Sequence, residues 1–367
     1  MAEDRPSVSR RRYLSGLATA GAAGLAGCSG AGGDTGAEND GDGGTTTDGG
    51  DAGANIDKLR VAHMPIYPDL QSHVMLEEGY FEELPVEVET KLFSDGPSIV
   101  QASATGDFDV MMFGIIPAMI VVDKGIPAKI TNANIVDPML IMGTEEFAAR
   151  HDSEGAEAFA AFEEETGSKF EFGTFPPGSV PDITLRYWLT EEVGLDPESD
   201  VTVTSLGGAG PVRQALLSGQ IDGTSMIEPV PTIAKREDAG YTDLDWSGDF
   251  FPGGQPGAVA LMHERIHDGA PEVAEAFVEQ HVRATEFIAE NPDGAAQATS
   301  NVVGEESLPV ADARAALDSR AANFVSDPHE IEDGTPIFAD WANRLDRTDG
   351  KLSNEQLFDF GHYDSVA

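Results

Sequence analysis

The sequence predicts an α/β protein built from two similar lobes, and three observations lead there. Short apolar strand patterns alternate with helical ones, which implies βα units around a mostly parallel sheet. One segment recurs at long range: Gln101-Ala-Ser-Ala-Thr-Gly106-Asp107-Phe108-Asp109 is echoed by Gln214-Ala-Leu-Leu-Ser-Gly219-Gln220-Ile221-Asp222. Each copy is a helix end, a Gly stop and an Asp at a strand start, a period far longer than that of a solenoid repeat. Beyond a low-complexity N-terminal stretch, roughly 310 residues remain, more than one core usually organises.

In chain order, the first element is an export signal. Ser9-Arg10-Arg11-Arg12-Tyr13-Leu14 is a twin-arginine pattern, followed by an apolar run from Leu14 to Ala26 and then Leu25-Ala26-Gly27-Cys28. The run is too short to span a bilayer, which takes about 20 residues. Basic flank, apolar centre and small-residue processing site are the parts of a signal peptide. Twin arginines resemble signals of the route that exports folded proteins. Leu-Ala-Gly-Cys resembles a lipobox, so residues 1–28 are expected to be removed up to Cys28, which becomes the lipidated first residue. Residues 29–55 are almost entirely Gly, Asp, Thr, Ala and Asn, too polar to offset the entropy of ordering, and read as a flexible linker with a span of roughly 30 Å.

The body opens with the strand pattern Leu59-Arg60-Val61-Ala62 and the Pro-broken loop His63-Met64-Pro65-Ile66-Tyr67-Pro68. A helix then runs to Glu78, with Gly79 as its stop. Val86-Glu87-Val88-Glu89-Thr90 alternates as a strand does. Ser94-Asp95-Gly96-Pro97 turns into the next helix, with Pro near its first position. Phe113-Gly114 and Glu228-Pro229 end the two strands that follow the echoed segments. Pro176-Pro177-Gly178-Ser179-Val180-Pro181-Asp182 opens a helix in the second lobe. The loop Gly253-Gly-Gln-Pro-Gly257 suits the return crossover. The lobes are therefore expected at 56–144 with 255–367, and at 145–254.

Composition excludes whole classes of function. With 65 Asp+Glu against 22 Lys+Arg, the formal net charge is −43. That field repels phosphate backbones and anionic headgroups, so no nucleic-acid partner is expected. The acids are spread along the chain, as on the solvated surface of a halophile's protein. Cys28 is the single cysteine, which rules out a disulfide framework and a thiolate metal cluster. There is no G-x-S-x-G elbow, no phosphate-binding G-x-x-x-x-G-K-[ST] loop and no dinucleotide G-x-G-x-x-G turn. His263-Glu264-Arg265-Ile266-His267 matches the zinc-protease pattern H-E-x-x-H, but a strand runs into it and Asp268-Gly269-Ala270-Pro271 stops any helix at once.

At this point a resemblance enters. Leu59-Arg-Val-Ala-His-Met-Pro, Glu78-Gly-Tyr-Phe and Ser94-Asp-Gly-Pro-Ser-Ile-Val-Gln-Ala resemble the first lobe of a type II periplasmic-binding-protein fold. Phe172-Gly-Thr-Phe-Pro-Pro-Gly-Ser, Leu185-Arg-Tyr-Trp-Leu and Gly219-Gln-Ile-Asp-Gly with Glu228-Pro229 resemble the second. The similar group is the nitrate/sulfonate/taurine and thiamine-precursor branch of ABC-transporter solute-binding proteins. It implies a monomeric, lipid-anchored receptor outside the cytoplasmic membrane, partnered by a permease and a separate ATPase, with no catalysis, no cofactor and no resident metal.

The candidate ligand residues follow from the loops. His63 and Tyr67 on the first loop suit the orienting of a small solute. Ser94, Gly96 and Pro97, and Gly178, Ser179 and Asp182, open helices where free N–H groups and hydroxyls make a neutral anion cradle. The alternative is that Ser94, Ser179 and Asp182 are ordinary caps. Phe113 and Gly114 face Glu228 from opposite strands; Phe113 is a wall or a core residue, and Glu228 a ligand or a loop anchor. The expected solute is a small oxyanion such as nitrate, an alkanesulfonate or taurine. The runner-up is a thiamine pyrimidine precursor between Tyr67 and Phe113, followed by a zinc enzyme using His263 and His267.

Overall fold

The computed structural model describes residues 56–367, and the signal, Cys28 and linker expected before them lie outside the described residues. In chain order the strands are β1 (Lys58–His63), β2 (Glu87–Leu92), β3 (Val110–Gly114), β4 (Ala128–Val136), β5 (Met139–Thr144), β6 (Glu171–Thr174), β7 (Thr202–Ser205), β8 (Gly223–Ile227), β9 (Tyr241–Trp246) and β10 (Pro256–His263). They form two five-stranded sheets, ordered β2-β1-β3-β10-β4 and β7-β6-β8-β5-β9. In each sheet four strands share one direction and one, β10 or β5, runs antiparallel between two of them. No helix among the described residues is long and apolar enough to cross a membrane.

The sequence echo has a structural counterpart. Gly106 and Gly219 both take left-handed backbone, at φ 70° and 64°, where a side chain would be strained. Three residues on, Asp109 and Asp222 each accept a backbone N–H from the neighbouring strand, Arg60 N at 2.8 Å and Glu171 N at 2.8 Å. Each Asp also donates its own N–H to that same residue's carbonyl, at 2.9 Å in both sheets. One carboxylate thus fixes the register of β3 on β1 and of β8 on β6.

The change of sheet comes earlier than the sequence suggests. Met139–Thr144 pairs with β8 and β9, so the chain leaves the first sheet at Asp137-Pro138 and not at 144. A fully apolar strand carries no mark of the sheet it joins. The return passes through Gly253 and Gly254, at φ 76° and 80°. The two crossovers are tied together: Asp137 N donates to Gln255 O at 2.9 Å, and Gln255 N donates to Asp137 Oδ1 at 2.7 Å. Trp246 Nε1 donates to Asp137 O at 2.7 Å, which anchors the crossover to the second sheet. Phe147, Phe159, Phe170, Phe172 and Trp188 fill the core of the second sheet with edge-on and tilted contacts.

Candidate functional site

Parallel strands present their carboxyl ends, and the loops after them, on one side of each sheet, where ligands of α/β folds bind. After β1, His63 is buried with Nδ1 3.4 Å from Ser72 Oγ. Ser72 donates its own proton to Asp69 O at 2.8 Å, so the ring proton belongs on Nδ1 and Nε2 keeps a lone pair. Burial lowers the His63 pKa to about 4, which leaves the ring neutral. Tyr67 is not free to hold a solute. Its hydroxyl donates to Ala313 O at 3.0 Å, and its ring leans on Phe324 at 5.6 Å between centroids.

Beneath this loop lies a buried polar network that the sequence did not reveal. Asp69 accepts Asn134 Nδ2 at 3.1 Å and Met64 N at 3.3 Å, and burial pushes its pKa up to about 8. Asn134 Oδ1 meets His281 Nε2 at 3.0 Å. His73 joins Met64 O at 2.9 Å to Thr299 at 3.0 Å. Burial holds His73 at about 4 and His281 at about 3. These residues come from β4 and from helices more than 200 positions downstream, so no local spacing could have grouped them.

The two helix-opening loops are corrected in their chemistry. At the helix Gly96–Ser103 the cap is Asp95, not Ser94. Asp95 Oδ1 accepts both Ser98 N and Ser98 Oγ at 2.8 Å, and Ser94 donates to Asp95 Oδ2 at 2.9 Å. Gly96 is buried against Pro117, and Pro97 is exposed. At the helix Val180–Tyr187 the cap is Ser179, accepting Asp182 N at 3.4 Å. Gly178 N donates to Asp182 Oδ2 at 2.7 Å, and Arg186 Nε meets the same carboxylate at 3.0 Å. Each loop already holds a carboxylate of its own, so neither is an empty, neutral cradle.

A third helix start differs. Gly114 opens the helix Ile115–Asp123 with no side-chain cap, and a proline follows at 117. A Cβ on Gly114 would lie 3.8 Å from Val180 of the other lobe, so the uncapped N–H groups stand at the boundary between lobes. Phe113 beside it is fully buried in the core. Glu228, after β8, is also buried. Its Oε2 accepts Thr232 N at 3.1 Å, Oε1 has no partner among the described residues, and burial raises its pKa.

One residue outside every sequence motif lies at this boundary. Arg347, from the segment after the helix Thr335–Arg344, lies against Gly178 so closely that a Cβ there would sit 2.3 Å from its Nε. Gly178 has φ 79°, and only glycine leaves room for the guanidinium. Among the described arginines, Arg347 alone has neither an ion pair nor a side-chain hydrogen bond; even Arg213 donates to Ser307 O.

The H-E-x-x-H pattern does not assemble. The helix Glu264–His267 has four residues, and His263 Nδ1 accepts Arg265 N at 3.2 Å as its cap. His267 turns to Asp268 instead.

A sequence profile described as the NMT1-like family matches residues 52–303. A Brucella abortus protein named only as a candidate binding protein is 27% identical over 225 residues, covering 61% of this chain, and the chain spans 64% of that relative's length. The periplasmic nitrate-binding protein of Synechocystis superposes with a TM-score of 0.66 at 16% identity, over 85% of this chain and 89% of its own. The aliphatic sulphonate-binding protein of Escherichia coli gives 0.65 at 18% identity, over 83% and 92%. The architecture is the periplasmic-binding-protein fold.

Proposed function

Since the chain belongs to the NMT1-like family, we propose that it is the extracytoplasmic solute-binding component of an ABC importer, specific for a small oxyanion such as nitrate or an alkanesulfonate. One observation supports the anion above all: the unpaired Arg347 guanidinium laid on Gly178 at the lobe boundary. In a chain of net charge −43, an arginine left without a carboxylate is conspicuous. Guanidinium groups match planar oxyanions by paired N–H donors. The uncapped N–H groups at Gly114–Ile116 add a second donor set on the same side of the boundary.

The mechanism is capture by closure. The tied crossovers at Asp137 and Gln255 act as the hinge, and Arg347 of the first lobe holds the anion where Gly178 of the second lobe packs against it. A differential affinity of a few kcal/mol for the closed state shifts the population. The closed receptor, tethered by lipid on Cys28, then docks on a permease driven by a separate ATPase. Sulfonates and nitrate are what the two similar structures are named for. A pyrimidine would need the Tyr67–Phe113 sandwich, and Tyr67 leans on Phe324 while Phe113 lies in the core.

A thermal-shift screen with nitrate, taurine, longer alkanesulfonates, bicarbonate and aminopyrimidines tests the proposal. Saturation at a hundred times the dissociation constant adds about 2.7 kcal/mol, so a cognate oxyanion raises the melting temperature by several degrees. A shift with a pyrimidine and with none of the anions contradicts it.

A further inference from the structure

We infer that His267, Asp268 and Asp359 form a binding site for one first-row divalent cation of the zinc type, which clips the C-terminal segment to the strand-to-helix junction after β10. His267 Nδ1 lies 2.8 Å from Asp268 Oδ1 and 3.5 Å from Asp359 Oδ2. The three ligand atoms all lie within 4.8 Å of one another. Ligands at zinc-like bond lengths sit roughly 3–3.5 Å apart, so a small turn of the exposed Asp268 completes the set. One imidazole with two carboxylates favours zinc or manganese over calcium or magnesium.

Charge and support point the same way. Two carboxylates converge here with no lysine or arginine within ion-pair distance among the described residues. A divalent cation held between the two carboxylates offsets their charge. Two of the three ligands, Asp359 and His267, are held by contacts of their own. Asp359 Oδ1 accepts Gly361 N at 2.9 Å, which leaves Oδ2 for the site. His362 Nε2 donates to His267 O at 2.8 Å, and the His267 side chain is only 6% exposed. Such outer contacts orient ligands and raise metal affinity. The cluster follows the far end of β10, where His263 pairs with Ala128, so it is remote from the strand ends that face the solute.

The experiment titrates Zn²⁺ alone into chelator-stripped protein by calorimetry, with melting curves alongside. One Zn²⁺ per chain and a raised melting temperature are expected. Asp359→Asn, His267→Gln and the exposed Asp268→Asn each weaken binding at least about 10–100-fold, while His329→Gln, a surface histidine beside Asp327, leaves it intact. Asp268→Asn keeps the test decisive should either buried variant misfold. Absence of stoichiometric binding, or equal Zn²⁺ affinity in wild type and Asp268→Asn, overturns the inference.

Discussion

Asp69 and its three histidine neighbours set the pH response of the first lobe. Asp69 is held at about 8 in the folded chain against an ordinary 3.8, so its contribution is full below about pH 4 and is lost as pH rises through 8. The histidines run the other way. Held below 6.5, at about 4 for His63 and His73 and about 3 for His281, they lose stability as pH falls from 6.5 towards 4. Asp69→Asn is expected to flatten the decline of melting temperature between about pH 6.5 and 8 while leaving the acid limb in place. An unchanged alkaline slope contradicts this. Gly178→Ala combines left-handed strain with a clash against Arg347, and is expected to cost 1 kcal/mol or more (about the penalty for Ala at positive φ) and to weaken solute binding. Unfolding curves and titrations of that variant check both.

At the scale of elements, the helix Val180–Tyr187 is set by a buried pair one turn apart. Asp182 is fully buried between Gly178 N and Arg186, and Arg186 also reaches Glu198. Asp182→Ala leaves a largely buried guanidinium with one exposed partner, and is expected to cost about 3–5 kcal/mol. Ser179→Ala removes only a long cap bond and is expected to cost about 0.5–1 kcal/mol. Equal losses in denaturant titrations would show that the pair does not organise the loop. The positions of these helices were legible, because Pro and Gly mark helix starts and stops directly. Which group fills a helix start was not. Asp95 and Ser94 are adjacent, and the choice of cap is decided by backbone angles. The strand ends at Gly114 and Glu228 were legible from the echo and that at His63 from the Pro-broken loop after Leu59–Ala62, whereas Arg347 sits in a loop whose contact with Gly178 exists only after the lobes assemble. His267 was singled out for its spacing from His263, yet its partners Asp268 and Asp359 come from the next residue and from a segment near the C-terminus.

For the whole molecule, two sheets are joined by a tied double crossover, the one place where the proposed closure can bend it, and the excess of acid is expected to govern the conditions under which it stays folded. With a net charge of −43, repulsion acts over a Debye length of about 30 Å at 0.01 M salt and about 3 Å at 1 M. The melting temperature is therefore expected to climb steeply with salt, and circular dichroism across a salt series measures it; equal values at both ends would make the acidity irrelevant to folding. Capture of an anion by Arg347 across the lobe boundary is the central claim. It is tested most directly by calorimetric titration of the oxyanion found in the screen into wild type and Arg347→Ala at one fixed, high salt concentration. Loss of a charged hydrogen-bonding group is worth about 1.5–3 kcal/mol, so affinity is predicted to fall by roughly 10–150-fold, with the melting temperature of the solute-free protein unchanged. The same affinity in both proteins would contradict the account.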